Sequence, residues 1–190
     1  MTKKEFQTHL SHLSKNTVGE LLHERSWEAV KDICQQVQPI YILELGFNRG
    51  SSALMWLFNT PDETKLHSID IRSQEEVSES LEYINSIFGK RFKYSHLNHS
   101  LLTETYTKGL GMVNKYDLIF IDGDHSYNGI LRDTKNALKL NPKYIAFDDY
   151  FHAAHKRDTQ KVISEMGLKI IKEYKNATGQ ALTKNPFYIK

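Results

Sequence analysis

Cysteine is almost absent: Cys34 is the single one among 190 residues. That excludes an internal disulfide framework and suits a reducing compartment, so a cytoplasmic location is expected. Long apolar runs are missing as well. No stretch approaches the about 18 consecutive apolar residues of a membrane-spanning helix, and the opening MTKKEFQTHL lacks the apolar centre of a signal peptide. Nor does charge of one sign prevail, with 25 Lys and Arg against 23 Asp and Glu. Nothing in the electrostatics therefore points to nucleic acid or an anionic membrane as partner. Repeats, low-complexity segments and linkers are absent, and one α/β domain spanning residues 1–190 is expected.

What is present centres on Tyr41 to Leu57, YILELGFNRGSSALMWL. It reads as strand, tight turn and helix, the strand apolar on both faces as in a parallel sheet covered on both sides. Gly46 permits a positive φ or the close approach of a ligand that a Cβ would block. Gly50 lets the helix begin tight against the strand, and Ser51 and Ser52 are expected to cap it. The spacing of Glu44, Gly46 and Gly50 is neither the dinucleotide G-x-G-x-x-G nor a P-loop, so a pyrophosphate is not the expected ligand. An acid at a strand end beside a glycine loop suits a ligand with a cationic head and a ribose. The stretch resembles motif I of the class I S-adenosylmethionine-dependent methyltransferases, and an ordinary βα turn is the alternative.

The rest of the chain repeats the pattern. Residues 2–37 read as helical, with Trp27, Val30, Ile33, Cys34 and Val37 at helical steps behind a cap at Ser26, and Pro39 stops them. This helical cap, residues 1–38, precedes a core over 39–190. There strands Lys65–Asp70, Arg91–Leu97, Tyr116–Asp122 and Tyr144–Asp148 are expected to alternate with helices Glu75–Phe88, Leu101–Leu110, Tyr127–Leu140 and Ala153–Met166. Two last strands, Leu168–Tyr174 and Gln180–Ile189, flank a turn. Such alternation predicts an α/β fold with a mainly parallel sheet, right-handed crossovers and an antiparallel addition at the C-terminus.

Ligands in open α/β sheets bind outside the carboxyl ends of the strands, so polar residues there outrank all others. Asp70 lies about 20 residues beyond Gly50, the separation at which an acid receives ribose hydroxyls. Ser100 follows the next strand as a candidate adenine contact, and equally as a helix N-cap. The fourth strand runs into Asp122, Gly123, Asp124, His125, Ser126 and Tyr127, and the fifth ends in Asp148 and Asp149. If those strands are neighbours, three carboxylates converge and repel unless a cation lies between them, and magnesium, which takes carboxylate oxygens, answers that need. Any one of these acids reads equally as a cap or turn former. The set does not.

Taken in order, ELGFNRGSS, SIDI, FIDGDHSY and FDDY resemble the metal-dependent small-molecule O-methyltransferases of the catechol and sugar type, over roughly residues 40–190. The resemblance implies a Rossmann-like, doubly wound sheet of seven strands with the last antiparallel. It implies S-adenosyl-L-methionine held by Glu44, Gly46, Phe47, Asn48, Gly50, Ser51, Asp70, Ile71, Ser100 and Asp122, and magnesium held by Asp122, Asp148 and Asp149. The acceptor would be a small-molecule hydroxyl such as that of a sugar, with Asp124 as general base. Asn48 stands where many methyltransferases have glycine. Asp148-Asp149 replaces the Asp-Asn of the catechol branch, which favours the sugar-like branch.

Substrate walls are expected from the leading helices, from Tyr127, Tyr150 and Phe151, and from His155, Lys156 and Arg157. A metal-free methyltransferase with His125 or His152 as base is the nearest alternative, and a non-catalytic module that keeps the cofactor pocket is another. The remaining histidines, His155 among them, show no metal-ligand spacing, and no zinc site is expected. An NAD-dependent reductase would need the G-x-G-x-x-G loop that is missing. Asn185-Pro186-Phe187-Tyr188 resembles the Asn-Pro-Pro-Tyr loop of amino-methyltransferases but lies at the last strand, where it reads as a strand entry.

Overall fold

The computed structural model describes residues 3–13, 20–97, 116–175 and 179–189. Two helices lead, α1 (Lys3–Leu13) and α2 (Glu20–Val37). Phe6, Leu10 and Leu13 recur at helical spacing and are buried. The Phe6 ring lies 4.4 Å from that of Trp27 and meets Phe58 edge-on at 6.3 Å, which fastens α1 to its neighbours. Ser26 is not a cap: it lies inside α2, and its hydroxyl accepts a hydrogen bond from Gln180 Nε2 at 3.0 Å across the fold.

The core elements follow in order: β1 (Tyr41–Leu45), α3 (Ser51–Phe58), β2 (Lys65–Asp70), α4 (Ser78–Phe88), β3 (Phe92–His96), β4 (Leu118–Ile121), α5 (Tyr127–Lys139), β5 (Tyr144–Phe147), α6 (Lys156–Glu165), β6 (Lys169–Tyr174) and β7 (Gln180–Lys184). They form a seven-stranded sheet in the order β3-β2-β1-β4-β5-β7-β6. β7 is antiparallel to both β5 and β6, and the other strands share one direction. This is the expected Rossmann-like, doubly wound sheet.

Several ends differ from expectation for local reasons. Ser73 and Glu76 cap each other reciprocally, Ser73 N to Glu76 Oε2 at 2.7 Å and Glu76 N to Ser73 Oγ at 3.3 Å, so a turn precedes α4 and delays it to Ser78. β7 ends at Lys184 because Asn185 turns away, its Nδ2 donating to Pro142 O at 2.9 Å, and Pro186 has no N–H for the ladder. The helix expected over Leu101–Leu110 lies outside the described residues, as does Ser100.

Alternation along the strands feeds two apolar layers. Ile42, Phe120, Ala146 and Leu182 face Trp27, Ile33, Leu54 and Trp56 from α2 and α3. Leu43, Leu45, Ile119, Ile145 and Phe147 face Ile130, Ala137, Val162 and Ile163 from α5 and α6. Between the layers the register aligns the strand ends. Leu45 pairs with Ile69 and Ile121, and Ile121 with Phe147, so Asp70, Gly46, Asp122 and Asp148 form one row across the sheet. The row is continued by backbone hydrogen bonds, Gly46 N to Ile69 O at 2.9 Å, Asp122 N to Leu45 O at 2.8 Å and Asp148 N to Ile121 O at 3.1 Å.

Gly46 is the tightest point of that row. Its φ is +101°, and an added Cβ would lie 2.0 Å from the carbonyl oxygen of Asp122. The close approach at this glycine is to the backbone that follows the neighbouring strand, where a ligand was expected. Gly46→Ala combines a strained φ with an overlap against backbone, and a loss of about 3 kcal/mol or more in unfolding free energy is expected by urea denaturation. A loss below about 1 kcal/mol would show that the loop re-forms freely.

Candidate active site

The carboxyl ends of β1, β2, β4 and β5 open into a cleft of about 860 Å³. On one side Asp70, buried at the end of β2, organises the first loop. Its Oδ2 accepts from Phe47 N and Asn48 N, both at 2.8 Å, and its Oδ1 accepts from Arg72 N at 2.9 Å. About three of its four lone-pair positions are occupied by backbone, which leaves one for a ligand. Asn48 has φ +49°, a left-handed conformation that Asn tolerates, so the departure from glycine at this position is accommodated. Gly46, Phe47, Asn48, Ser51, Asp70 and Ile71 all line the cleft, with Ile71 66% exposed.

Three expectations are corrected here. Glu44 does not line the cleft: it is fully buried within β1, opposite Ser68, whose Oγ donates to Glu44 Oε2 at 2.5 Å. Burial pushes its carboxyl up to about 7, and the Ser52 and Ser68 hydroxyls pull it back only in part. Nor does Gly50 face a ligand: at φ +83° it occupies the N-cap position of α3, and its α-carbon is turned toward Ile84 and the Phe47 ring. Ser51 and Ser52 sit in the helix's first turn, and no side chain caps it.

At the other side the acids converge as their sequence positions suggest. Asp122 is pushed well above the ordinary carboxylate range, first by burial and then by Asp148, Asp149 and Glu44. Asp148 is raised to about 6 by burial and by Asp149. His125 partly answers this charge, its Nδ1 3.1 Å from Asp149 Oδ2 and its Nε2 4.0 Å from Asp122 Oδ1. The sequence offered no sign of a further partner, Gln180, whose Nε2 donates to Asp148 Oδ1 at 2.5 Å and to the Ser26 hydroxyl. Pattern reading assigned both residues elsewhere, as a strand start and a helix cap.

Asp124 is half exposed on the same rim and is not the cap of α5. Ser126 is, its Oγ accepting from Gly129 N at 3.1 Å. Asp124 Oδ1 accepts from Ser126 N at 3.0 Å, and Oδ2 lies 3.7 Å from Arg132 Nη2. The Ser126 N–H holds its carboxyl below the usual range, helped by Arg132 and His125. Gly129 makes room for it, since a Cβ there would come within 2.2 Å of the carboxyl carbon. Arg132, which sequence reading passed over, also lines the cleft.

Tyr127, Tyr150, Phe151 and His155 do not form walls of the cleft. Tyr127 Oη donates to Glu165 and Tyr150 Oη to Glu173, both at 2.6 Å, so these phenols tie elements together. His152 lies off the cleft as well. Among the described residues, the group of three that offers one ligand atom each within 4.8 Å of one another is Asp149, His152 and His155, not Asp122, Asp148 and Asp149. Sequence reading set His155 aside as a ligand, and the structure brings it beside Asp149 and His152.

The sequence profile of a methyltransferase domain family matches residues 43–150. No curated protein matches the chain. Among solved structures, the SAH-bound methyltransferase PaMTH1 of Podospora anserina superposes with a TM-score of 0.69 at 15% identity, over 94% of this chain and 86% of that one. An O-methyltransferase from Bacillus cereus in complex with SAH gives 0.69 at 14%, over 96% and 90%. At such identities the likeness establishes a shared fold.

The Glu44 carboxyl generates a pH prediction. Its folded pKa of about 7 exceeds the ordinary 4.5, so the folded state holds a proton more tightly than the unfolded one. The stability this contributes is present at low pH and is lost as pH rises through about 7. Between about pH 5 and pH 8 the ligand-free protein is expected to lose up to roughly 3 kcal/mol relative to Glu44→Gln. Denaturation of both across that window is the measurement, and parallel curves would contradict the assignment.

Proposed function

Because the chain belongs to the methyltransferase domain family, and so is an S-adenosylmethionine-dependent methyltransferase, we propose that it methylates a hydroxyl oxygen of a small molecule with the help of a divalent ion. One observation carries the reading: the row of Asp70, Gly46, Asp122 and Asp148 bounds a single cleft, with a loop of mixed charge at one end and an acidic cluster at the other. That the Bacillus relative is an O-methyltransferase supports the oxygen acceptor.

The Phe47 and Asn48 loop, fixed by Asp70, receives the cofactor. The free lone pair of Asp70 accepts from a ribose hydroxyl, and exposed Ile71 offers an apolar face to the adenine. Bound S-adenosylmethionine supplies an electrophilic methyl on a sulfonium. The oxygen donors of Asp122, Asp148 and Asp149 fit a hard ion such as magnesium, since burial and mutual repulsion raise Asp122 and Asp148 where a cation would lower them. Such an ion would bind the acceptor's oxygens and make its hydroxyl more acidic. Asp124 takes the proton. Its lowered pKa makes it a weak base, suited only to a hydroxyl already acidified. The Asp148-Asp149 pair favours a sugar-like acceptor over a catechol. A cytoplasmic location and the absence of nucleic-acid or membrane partners complete the proposal; among the described residues no helix is long and apolar enough to cross a membrane.

A second reading has one observation behind it, the 3.1 Å contact between His125 Nδ1 and Asp149, which is the geometry of a carboxylate-oriented histidine base without metal. Calorimetry with S-adenosylhomocysteine is expected to give micromolar binding. Asp70→Ala should weaken it about tenfold or more, the cost of a charged acceptor plus a loosened loop. A preference for NAD would overturn the proposal.

Asp124→Asn keeps an acceptor for the Ser126 N–H but cannot take a proton. It is expected to retain fold and cofactor binding while turnover falls roughly a hundredfold or more. Chelation should abolish wild-type turnover and magnesium restore it. Full activity in excess chelator would favour His125 as base.

A further inference from the structure

A second donor cluster stands beside the acidic one, built by the turn between β5 and α6. Asp149 enters it with φ +56°. His152 N then donates to Asp149 O at 3.2 Å, and His155 N to His152 O at 3.1 Å. Two successive i to i+3 turns bring residues 149, 152 and 155 to one side of the chain. This is why α6 begins at Lys156 and not at Ala153. The His152 and His155 rings stack at 4.9 Å with 17° between their planes, and His125 approaches His155 at 5.2 Å. One ligand atom from each of Asp149, His152 and His155 lies within 4.8 Å of the other two. The neighbouring cation Lys156 is turned onto the Phe151 ring, 5.6 Å from its centre.

We propose that Asp149, His152 and His155 bind a first-row transition-metal ion of the cobalt or zinc type, with His125 Nδ1, 3.1 Å from Asp149 Oδ2, orienting that carboxylate. Two imidazoles and one carboxylate are the donor set such ions prefer, whereas magnesium takes oxygen. Three protein ligands also leave coordination positions open. Metal–ligand bonds of about 2.0–2.2 Å require the donors to draw closer together. Ring rotation at the turn supplies that, at the cost of the 3.3 Å contact from Ala154 N to His152 Nδ1. Asp149 belongs to this site and to the acidic cluster, but the inference stands on the turn geometry and does not need methyl transfer.

The test uses the untagged full chain, stripped with chelator and free of cofactor, titrated with Co²⁺ and followed by visible d–d absorption and calorimetry. One equivalent is expected to bind, with excess Mg²⁺ unable to displace it. His152→Ala and His155→Ala should each weaken binding about tenfold or more, and Asp122→Asn should change it less than about threefold. His155→Gln and a matching unfolding midpoint guard against loss of fold. Absence of Co²⁺ binding, histidine variants that bind like wild type, or equal loss in Asp122→Asn would each overturn the site. Failure of the methyltransferase reading would instead appear in the S-adenosylhomocysteine titration and leave Co²⁺ binding intact.

Discussion

Two backbone amides, those of Phe47 and Asn48, share one carboxylate oxygen of Asp70, and the geometry of the cleft depends on that pair of hydrogen bonds. The loop they hold is pressed on its other side against the Asp122 carbonyl, where only a residue without a Cβ fits. Neighbouring strands therefore clamp the loop from both flanks. Under the proposed function, a cofactor arriving there would meet a surface already shaped, with little ordering entropy left to oppose binding.

The opposite end of the cleft is governed by a different constraint. Asp122 and Asp148 lie partly buried side by side with buried Asp149 adjacent, and His125 is too exposed and too far from Asp122 to neutralise them. Carboxylic acids forced together in this way hold protons they would otherwise release. One end of the site is thus rigid and satisfied, the other electrostatically frustrated. Local conflict of this kind in an otherwise consistent fold is what functional sites tend to show, and the proposed function would resolve it with a cation.

The sheet and the row of acids were legible because both follow from short-range signals. An apolar run ending in Asp or Gly marks a strand end, and parallel pairing then brings such ends level. Where reading failed, long-range partners decided. Ser26 looks like a cap until Gln180, far along the chain, takes its hydroxyl. Glu44 looks like a ligand-facing acid, but strand alternation turns it to the layer beneath α3, opposite Ser68. Asp124 and Ser126 compete for one capping role, and only the turn geometry separates them. The grouping of Asp149, His152 and His155 escaped notice because only His155 fell within the expected helix Ala153–Met166, and the turns that bring Asp149 and His152 beside it leave no periodic mark in the sequence.

Gln180 joins elements that the chain keeps far apart, touching Asp148 on β5 and Ser26 on α2 from its place at the start of the antiparallel strand. Exchanging any one of the three for an apolar residue deprives a buried polar atom of a partner. Exchanging all three together would still strand other groups, since Asp148, Ser26 and Gln180 each hold further partners. The three positions are thus coupled, and the effect of replacing one depends on what stands at the other two. A change at residue 26 or 180 is therefore felt at Asp148, on the edge of the cleft.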